Sequence, residues 1–174
     1  MLPRALNVIA ALLLTFTTGL AAALPTDRDQ PLQVTADSAH FDEKSGIASY
    51  RGAVVIRQGT LEVRADELVI TLDKQGNVTR TVAHGNPARY QQQTDPKKGL
   101  VTAEAARIDY AMANEVITLT GQARLHQDSA SFQGATIVYA ITSQQVDAKS
   151  DANNRVQLVL PPQPRAPGSK DVRP

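Results

Sequence analysis

The chain is made of short runs in which apolar and polar residues alternate with period two, and turn-forming residues interrupt them every eight to twelve positions. Ala48, Tyr50, Val54 and Ile56 share one parity, against Ser49, Arg51 and Arg57 on the other. Leu61 and Val63 alternate with Glu62 and Arg64; Leu68, Ile70 and Leu72 alternate with Glu67, Val69, Thr71 and Asp73. This pattern, rich in β-branched residues, marks strands that bury one face. Turn signals stand at Glu43–Gly46, Gln58-Gly59, Asp73–Asn77, Asp95–Gly99, Gln127-Asp128 and Asp151–Asn154. Regularly spaced strands of this kind predict an all-β sandwich, jelly roll or barrel.

An internal repeat sharpens that expectation. Val34 opens VTADSAHFD and Val101 opens VTAEAARID, 67 residues later. After a two-residue insertion, Gly52–Gln58 matches Gly121–Gln127, and the register of 69 carries on to pair Val63 with Phe132, Leu68 with Ile137 and Ile70 with Tyr139. A shorter echo runs from Gly85 to Gln91. Ala48, Tyr50, Val54 and Ile56 then pair with Ile117, Leu119, Ala123 and Leu125, so both copies agree on the dry face. Ala103–Glu115 is rich in helix formers, but propensity is a weak prior and the repeat aligns most of it with a strand-like segment, so strand is expected. A duplicated hairpin unit points to an elongated, repetitive β architecture.

The termini read differently. Apolar Leu6–Phe16 follows Arg4 and precedes Ala21-Ala22-Ala23, the order of a cleavable secretory leader, here residues 1–23. Residues 24–160 are the expected domain. The proline-rich end, 161–174, cannot hold a sheet ladder and is expected to be disordered. Cleavage after Ala23 removes Arg4 and brings the formal charge from +1 to zero. Such balance argues against a nucleic-acid partner. The absence of cysteine excludes disulfides, thiolate metal sites and a cysteine nucleophile.

No phosphate-binding glycine loop, dinucleotide fingerprint or nucleophile elbow is present, and no cofactor is expected. His40, His84 and His126 are far apart, and two of them stand where the repeat partner has arginine; they read as surface residues. Asp37 and Asp42 match Glu104 and Asp109. They could serve acid–base chemistry or a cation, but repeated turn and strand-end capping is the favoured reading. Gly52, Gly85 and Gly121 are expected to relieve a bend or bulge. Only 4% of residues are aromatic, so the interior consists mainly of Val, Ile, Leu and Ala. Such an interior is either a filled core or a smooth cavity for alkyl chains.

Asp-Gln-Pro-Leu (29–32), Tyr-x-Gly-x-Val-x-Ile-x-Gln-Gly (50–59), Arg-Ala-Asp-Glu-Leu (64–68), Gly-x-Pro-Ala-x-Tyr (85–90) and the closing VQLVLPP follow one another in an order that resembles the LptA family of periplasmic lipopolysaccharide transport proteins, with the OstA-like fold. Each motif is loose alone; the likeness covers nearly all of Asp29–Pro162. It implies an open, twisted antiparallel β jelly roll built from repeated hairpin units, with no enzymatic activity. Its interior would take the acyl chains of lipid A. Parity together with the resemblance assigns the groove to Leu32, Val34, Phe41, Tyr50, Val54, Ile56, Leu61, Val63, Leu68, Ile70, Tyr90, Ile108, Tyr110, Met112, Leu119, Leu125, Phe132, Ile137 and Tyr139. The resemblance is the main ground for Leu32, Tyr90, Tyr110 and Met112.

It further implies a periplasmic protein that pairs head to tail with copies of itself, bridging the inner and outer membranes. The pairing edges would be Leu32, Val34 and Ala36 at one end and Val156, Leu158 and Leu160 at the other. The partners would be lipopolysaccharide, an inner-membrane ATP-driven transporter with its own periplasmic jelly-roll domain, and an outer-membrane lipopolysaccharide translocon. The rival readings are a structural or adhesive β-repeat protein with a filled core, and a polysaccharide-acting enzyme using the repeated acids.

Overall fold

The computed structural model describes residues 27–161. The expected leader lies outside them, as does all of the expected tail but Pro161. A short 3-10 turn (Asp27–Asp29) leads into ten strands: β1 (Gln33–Thr35), β2 (Ser38–Asp42), β3 (Ile47–Gln58), β4 (Leu61–Leu72), β5 (Val78–Gln92), β6 (Val101–Ala111), β7 (Val116–Gln127), β8 (Ala130–Ala140), β9 (Gln145–Lys149) and β10 (Gln157–Val159). The expected all-β architecture is the observed one. Ala103–Ala111 is strand, as the repeat required, and Met112–Glu115 forms the turn that follows it.

Strands β3 to β8 pair in chain order, all antiparallel. At one end β1 and β2 share the flank of β3; at the other, β9 and β10 share the flank of β8. The two ends do not pair with each other, so the sheet is open.

Apart from a separate break between Thr71 and Leu72, one line of register breaks runs from β3 to β8. It falls between Arg51 and Val54, Arg64 and Glu67, His84 and Ala88, Glu104 and Arg107, and Thr120 and Ala123. The three expected glycines sit on this line. Gly52 and Gly121 have φ of +79° and +83°, and each is followed by a second left-handed residue, Ala53 or Gln122. An extra residue at a bulge bends a strand and adds twist. Aligned bulges therefore fold the sheet along a crease into two half-sheets. The buried parity shifts there: β4 buries Leu61, Val63 and Ala65 before the crease and Leu68 and Ile70 after it. β6 buries Val101, Ala103 and Ala105, then Ile108 and Tyr110. The inner faces of the halves meet in one apolar cluster whose centre is filled, with Leu68, Leu119 and Ile137 fully buried.

Candidate functional site

On the side away from the crease the half-sheets do not close on each other completely. A cavity of about 530 Å³ lies between them, walled by Leu32, Ile56, Leu61, Val63 and Tyr90 of one half and by Val78, Thr81, Ala83, Ile108, Tyr110 and Met112 of the other. A smaller cavity of about 330 Å³ opens toward the β8 end, beside Val101, Leu125, Phe132, Tyr139 and Val146.

The expected groove residues divide accordingly. Leu32, Ile56, Leu61, Val63, Tyr90, Ile108, Tyr110 and Met112 line the larger cavity, and Leu125, Phe132 and Tyr139 the smaller. Val54, Leu68, Ile70, Leu119 and Ile137 pack in the filled centre. Val34 and Tyr50 are half-buried against it. Phe41 shares the inner face, because it stands opposite buried Ala48, yet it is 55% exposed. The alternatives of filled core and cavity are thus both present, in different parts of one interior. Thr81 and Ala83 escaped the sequence reading, which placed a turn at Asp73–Asn77 but not its contribution to the cavity wall. Thr81 and Ala83 do keep the inner parity of β5, but neither is the large apolar residue that reveals a buried face.

Polar contacts frame the opening. Asp27 accepts hydrogen bonds from the Thr60 amide and hydroxyl, both at 2.7 Å, and from Gln92 Nε2 at 2.6 Å. Gln58 Nε2 donates to the Gln30 carbonyl at 3.0 Å. These bonds hold the N-terminal segment so that Leu32 reaches the cavity wall. Tyr90 donates its hydroxyl to Gln92 Oε1 at 2.5 Å. Burial, reinforced by nearby Tyr110 and Tyr139 and by the Asp27 charge, pushes the Tyr90 hydroxyl well above its ordinary pKa. It therefore stays neutral, as an apolar wall requires. Across the smaller cavity, the β5–β6 loop reaches the opposite half: Thr94 and Tyr139 hydroxyls lie 3.4 Å apart, and Gln144 bonds both Asp95 and Lys98.

The outer face carries the charges. Glu62 lies between Arg64 and Arg57, at 2.6 and 3.1 Å, and their hydrogen bonds, Arg64 foremost, hold its carboxyl below the usual range. Asp109 is bonded by Arg80 and Arg107, at 2.5 and 2.7 Å, and is lowered in the same way, chiefly by Arg80. Glu104 bonds Arg89 at 2.9 Å. The repeated acids are therefore not uniform caps. Asp42 does cap its turn, accepting from the Lys44 amide at 3.0 Å. Glu104 and Asp109 instead sit within β6 and serve cross-strand ion pairs, because β6 has a neighbour on each side while β2 ends in a turn. His40, His84 and His126 are exposed, as expected. Among the described residues no cluster of His, Cys, Asp and Glu could hold a metal ion.

Comparison with known proteins gives a consistent answer. Residues 33–145 match a family model described as LptA/(LptD N-terminal domain) LPS transport protein. The chain is 33% identical over 168 residues to the lipopolysaccharide export system protein LptH of Pseudomonas aeruginosa, covering 92% of this chain and 96% of that one. It is 32% identical over 159 residues to the lipopolysaccharide export system protein LptA of Escherichia coli K12, covering 90% and 85% respectively. The crystal structure of the Pseudomonas LptH, described as the LptA-homologous periplasmic component of the lipopolysaccharide transport device, superposes with a TM-score of 0.72 at 34% identity, covering 79% of this chain and all of the other.

Proposed function

The chain belongs to the LptA/LptD N-terminal domain family, and from that premise we propose that it is a periplasmic lipopolysaccharide transport protein, a carrier and not an enzyme. The observation that carries this reading is the apolar cavity between the half-sheets of an open sheet. An alkyl chain needs only dry surface, and the walls of Ile56, Leu61, Val63 and Ile108 supply it. The lipid A acyl chains are the part of the cargo that such a cavity fits.

The energetics favour a continuous path. Burial stabilises alkyl carbon by about 0.8 kcal/mol per CH₂, so an acyl chain of about a dozen carbons gains on the order of 10 kcal/mol. Release into water would be too slow to be useful, whereas passage from one cavity into the next avoids that barrier. The edges suit such passage. Each terminal strand is paired on one flank only, and an unpaired edge is a template for strand addition. Leu32 and Phe41 at one end and Val156, Leu158 and Leu160 at the other are exposed. Half-buried Val34 and Ala36 lie beside the first set. Head-to-tail pairing of β10 of one copy with β1 of the next would cover both sets and join the cavities. The ends of such a bridge would meet the jelly-roll domain of an ATP-driven inner-membrane transporter and an outer-membrane translocon.

A photo-crosslinking residue in place of Tyr110, inside the cavity, is expected to capture lipopolysaccharide. The same residue in place of Arg64, on the outer face, is not. Equal capture at both positions would overturn the assignment of the inner face.

A further inference from the structure

Residues 93–100 connect β5 to β6 at the rim of one half-sheet, and they also reach the rim of the other, at the end of β8 and the β8–β9 turn. Thr94 Oγ1 lies 3.4 Å from the Tyr139 hydroxyl, Lys98 Nζ donates to Gln144 Oε1, and Gln144 Nε2 donates to Asp95 Oδ2 at 3.3 Å. Within itself the loop is braced. Gln93 Nε2 donates to the Asp95 and Lys98 carbonyls, the Lys98 amide to the Asp95 carbonyl at 3.1 Å, and the Lys97 amide to Asp95 Oδ1 at 2.9 Å. On its own half the Gly99 amide is tied to Asp128 Oδ1 at 2.7 Å. Lys98, Tyr139 and Gln144 line the smaller cavity, and no residue of the loop lines the larger one.

The loop is therefore a stiff strap fastened to the far rim by a few side-chain bonds. Lys98 and Gln144 are exposed, so water competes for those bonds and each is weak. A lipid whose chains lie between the half-sheets keeps its polar head in water, because burying that head unpaired is costly. The head then rides along the rim as the chains move from the larger cavity toward the β8 end. The strap lies across that course.

We propose that residues 93–100 form a gate over the smaller cavity, closed by the bonds of Gln144 to Lys98 and Asp95, which must lift before a lipid with a bulky polar head can pass from the larger cavity toward the β8 end. The inference rests on the lipid-carrier reading above. The chain has no cysteine, so Lys98→Cys with Gln144→Cys can be bridged by a short, reducible bifunctional thiol reagent. The readout is capture of lipopolysaccharide by a photo-crosslinking residue in place of Phe132, in the smaller cavity, or of Tyr110, in the larger. Bridging should lower capture at Phe132 at least tenfold and leave capture at Tyr110 unchanged, and reduction should restore it. The unbridged pair, which lacks the closing bonds, should be captured at Phe132 about three- to tenfold faster than the chain that keeps Lys98 and Gln144, the worth of one net hydrogen bond. Undiminished capture at Phe132 in the bridged protein, loss of capture at Tyr110 along with it, an unbridged pair that is no faster, or failure of the reagent to bridge the pair overturns the gate and leaves the carrier reading intact. Absence of capture at both positions in the unbridged protein overturns both.

Discussion

Val34–Asp42 and Val101–Asp109 carry the same sequence pattern and reach opposite fates. Val101 is fully buried, while its counterpart Val34 is half-buried; Ile108 is 3% exposed, while its counterpart Phe41 is 55% exposed. The side chains point to the same face in both copies. What differs is the number of neighbours. Strand β6 is bonded along its length by β5 and β7. The first copy is bonded by β3 alone and splits into β1 and β2 where the crease passes. An identical alternation thus makes a core wall in the middle of the sheet and an apolar, half-satisfied rim at its edge. The rim is available for a strand from elsewhere; the wall is not.

The largest test of that contrast is truncation at the paired positions. Ile108→Ala removes packed side-chain volume and should cost about 2–5 kcal/mol, read from urea unfolding. Phe41→Ala should cost under about 1 kcal/mol in the isolated protein, because little area is lost there. Equal costs would mean that the edge is covered in solution.

The glycines of the crease extend the comparison with a smaller expected effect. A Cβ on Gly121 would stand 2.9 Å from Ala106 Cβ, and φ there is +83°. A Cβ on Gly52 would meet the Asp37 carboxylate, the end of an exposed side chain that can turn away. Both alanine variants incur left-handed strain of about 1–2 kcal/mol. Gly121→Ala should lose more, because its neighbour cannot move out of the way, and thermal unfolding of the two variants would rank them.

The acid pair separates the copies further. Asp109 has its pKa lowered, first by Arg80 and then by Arg107. A carboxylate whose folded pKa is depressed adds stability that is complete above its unfolded value and is lost as pH falls through the folded one. Asp109→Asn should therefore cost about 1 kcal/mol near neutral pH and flatten the fall in stability on acidification. Asp42, lowered by the Ser45 and Lys44 hydrogen bonds of an exposed turn, should give a weaker effect of the same sign when replaced by Asn. Chemical denaturation across an acid pH series would compare the two.

The smallest expected effect on stability is at the far edge. Leu158→Asp, at a residue 51% exposed, should shift the unfolding midpoint by less than about 0.5 kcal/mol while reducing self-association measured by light scattering. An unchanged mass distribution would remove β10 from the assembly surface.

Much of this was readable in the chain. The parity of Ala48, Tyr50, Val54 and Ile56 fixed their face, because a strand's side chains alternate whatever surrounds them. The repeat settled strand over helix for Ala103–Ala111. Gly52, Gly85 and Gly121 were rightly expected at bends. The alternation gave no means of telling Leu68 and Ile137, packed in the centre, from Val63 and Ile108, which border the cavity. All four sit on the inward side of the alternation in their own half-strand, and the gap between the half-sheets depends on how the crease brings distant strands together. Thr81 went unnoticed because a polar side chain at the inner parity of β5 does not mark a buried face.

By itself, the sequence determined which residues face inward, where strands turn, and that the unit is duplicated. These are local consequences of side-chain period, turn chemistry and glycine conformation. Only the tertiary structure decided that five of the register breaks align into one crease, that the interior is part core and part cavity, and that one copy of the repeat is a wall while the other is an edge. Each of those depends on which strands lie beside and across from one another, and alternation along a single strand carries no record of its neighbours.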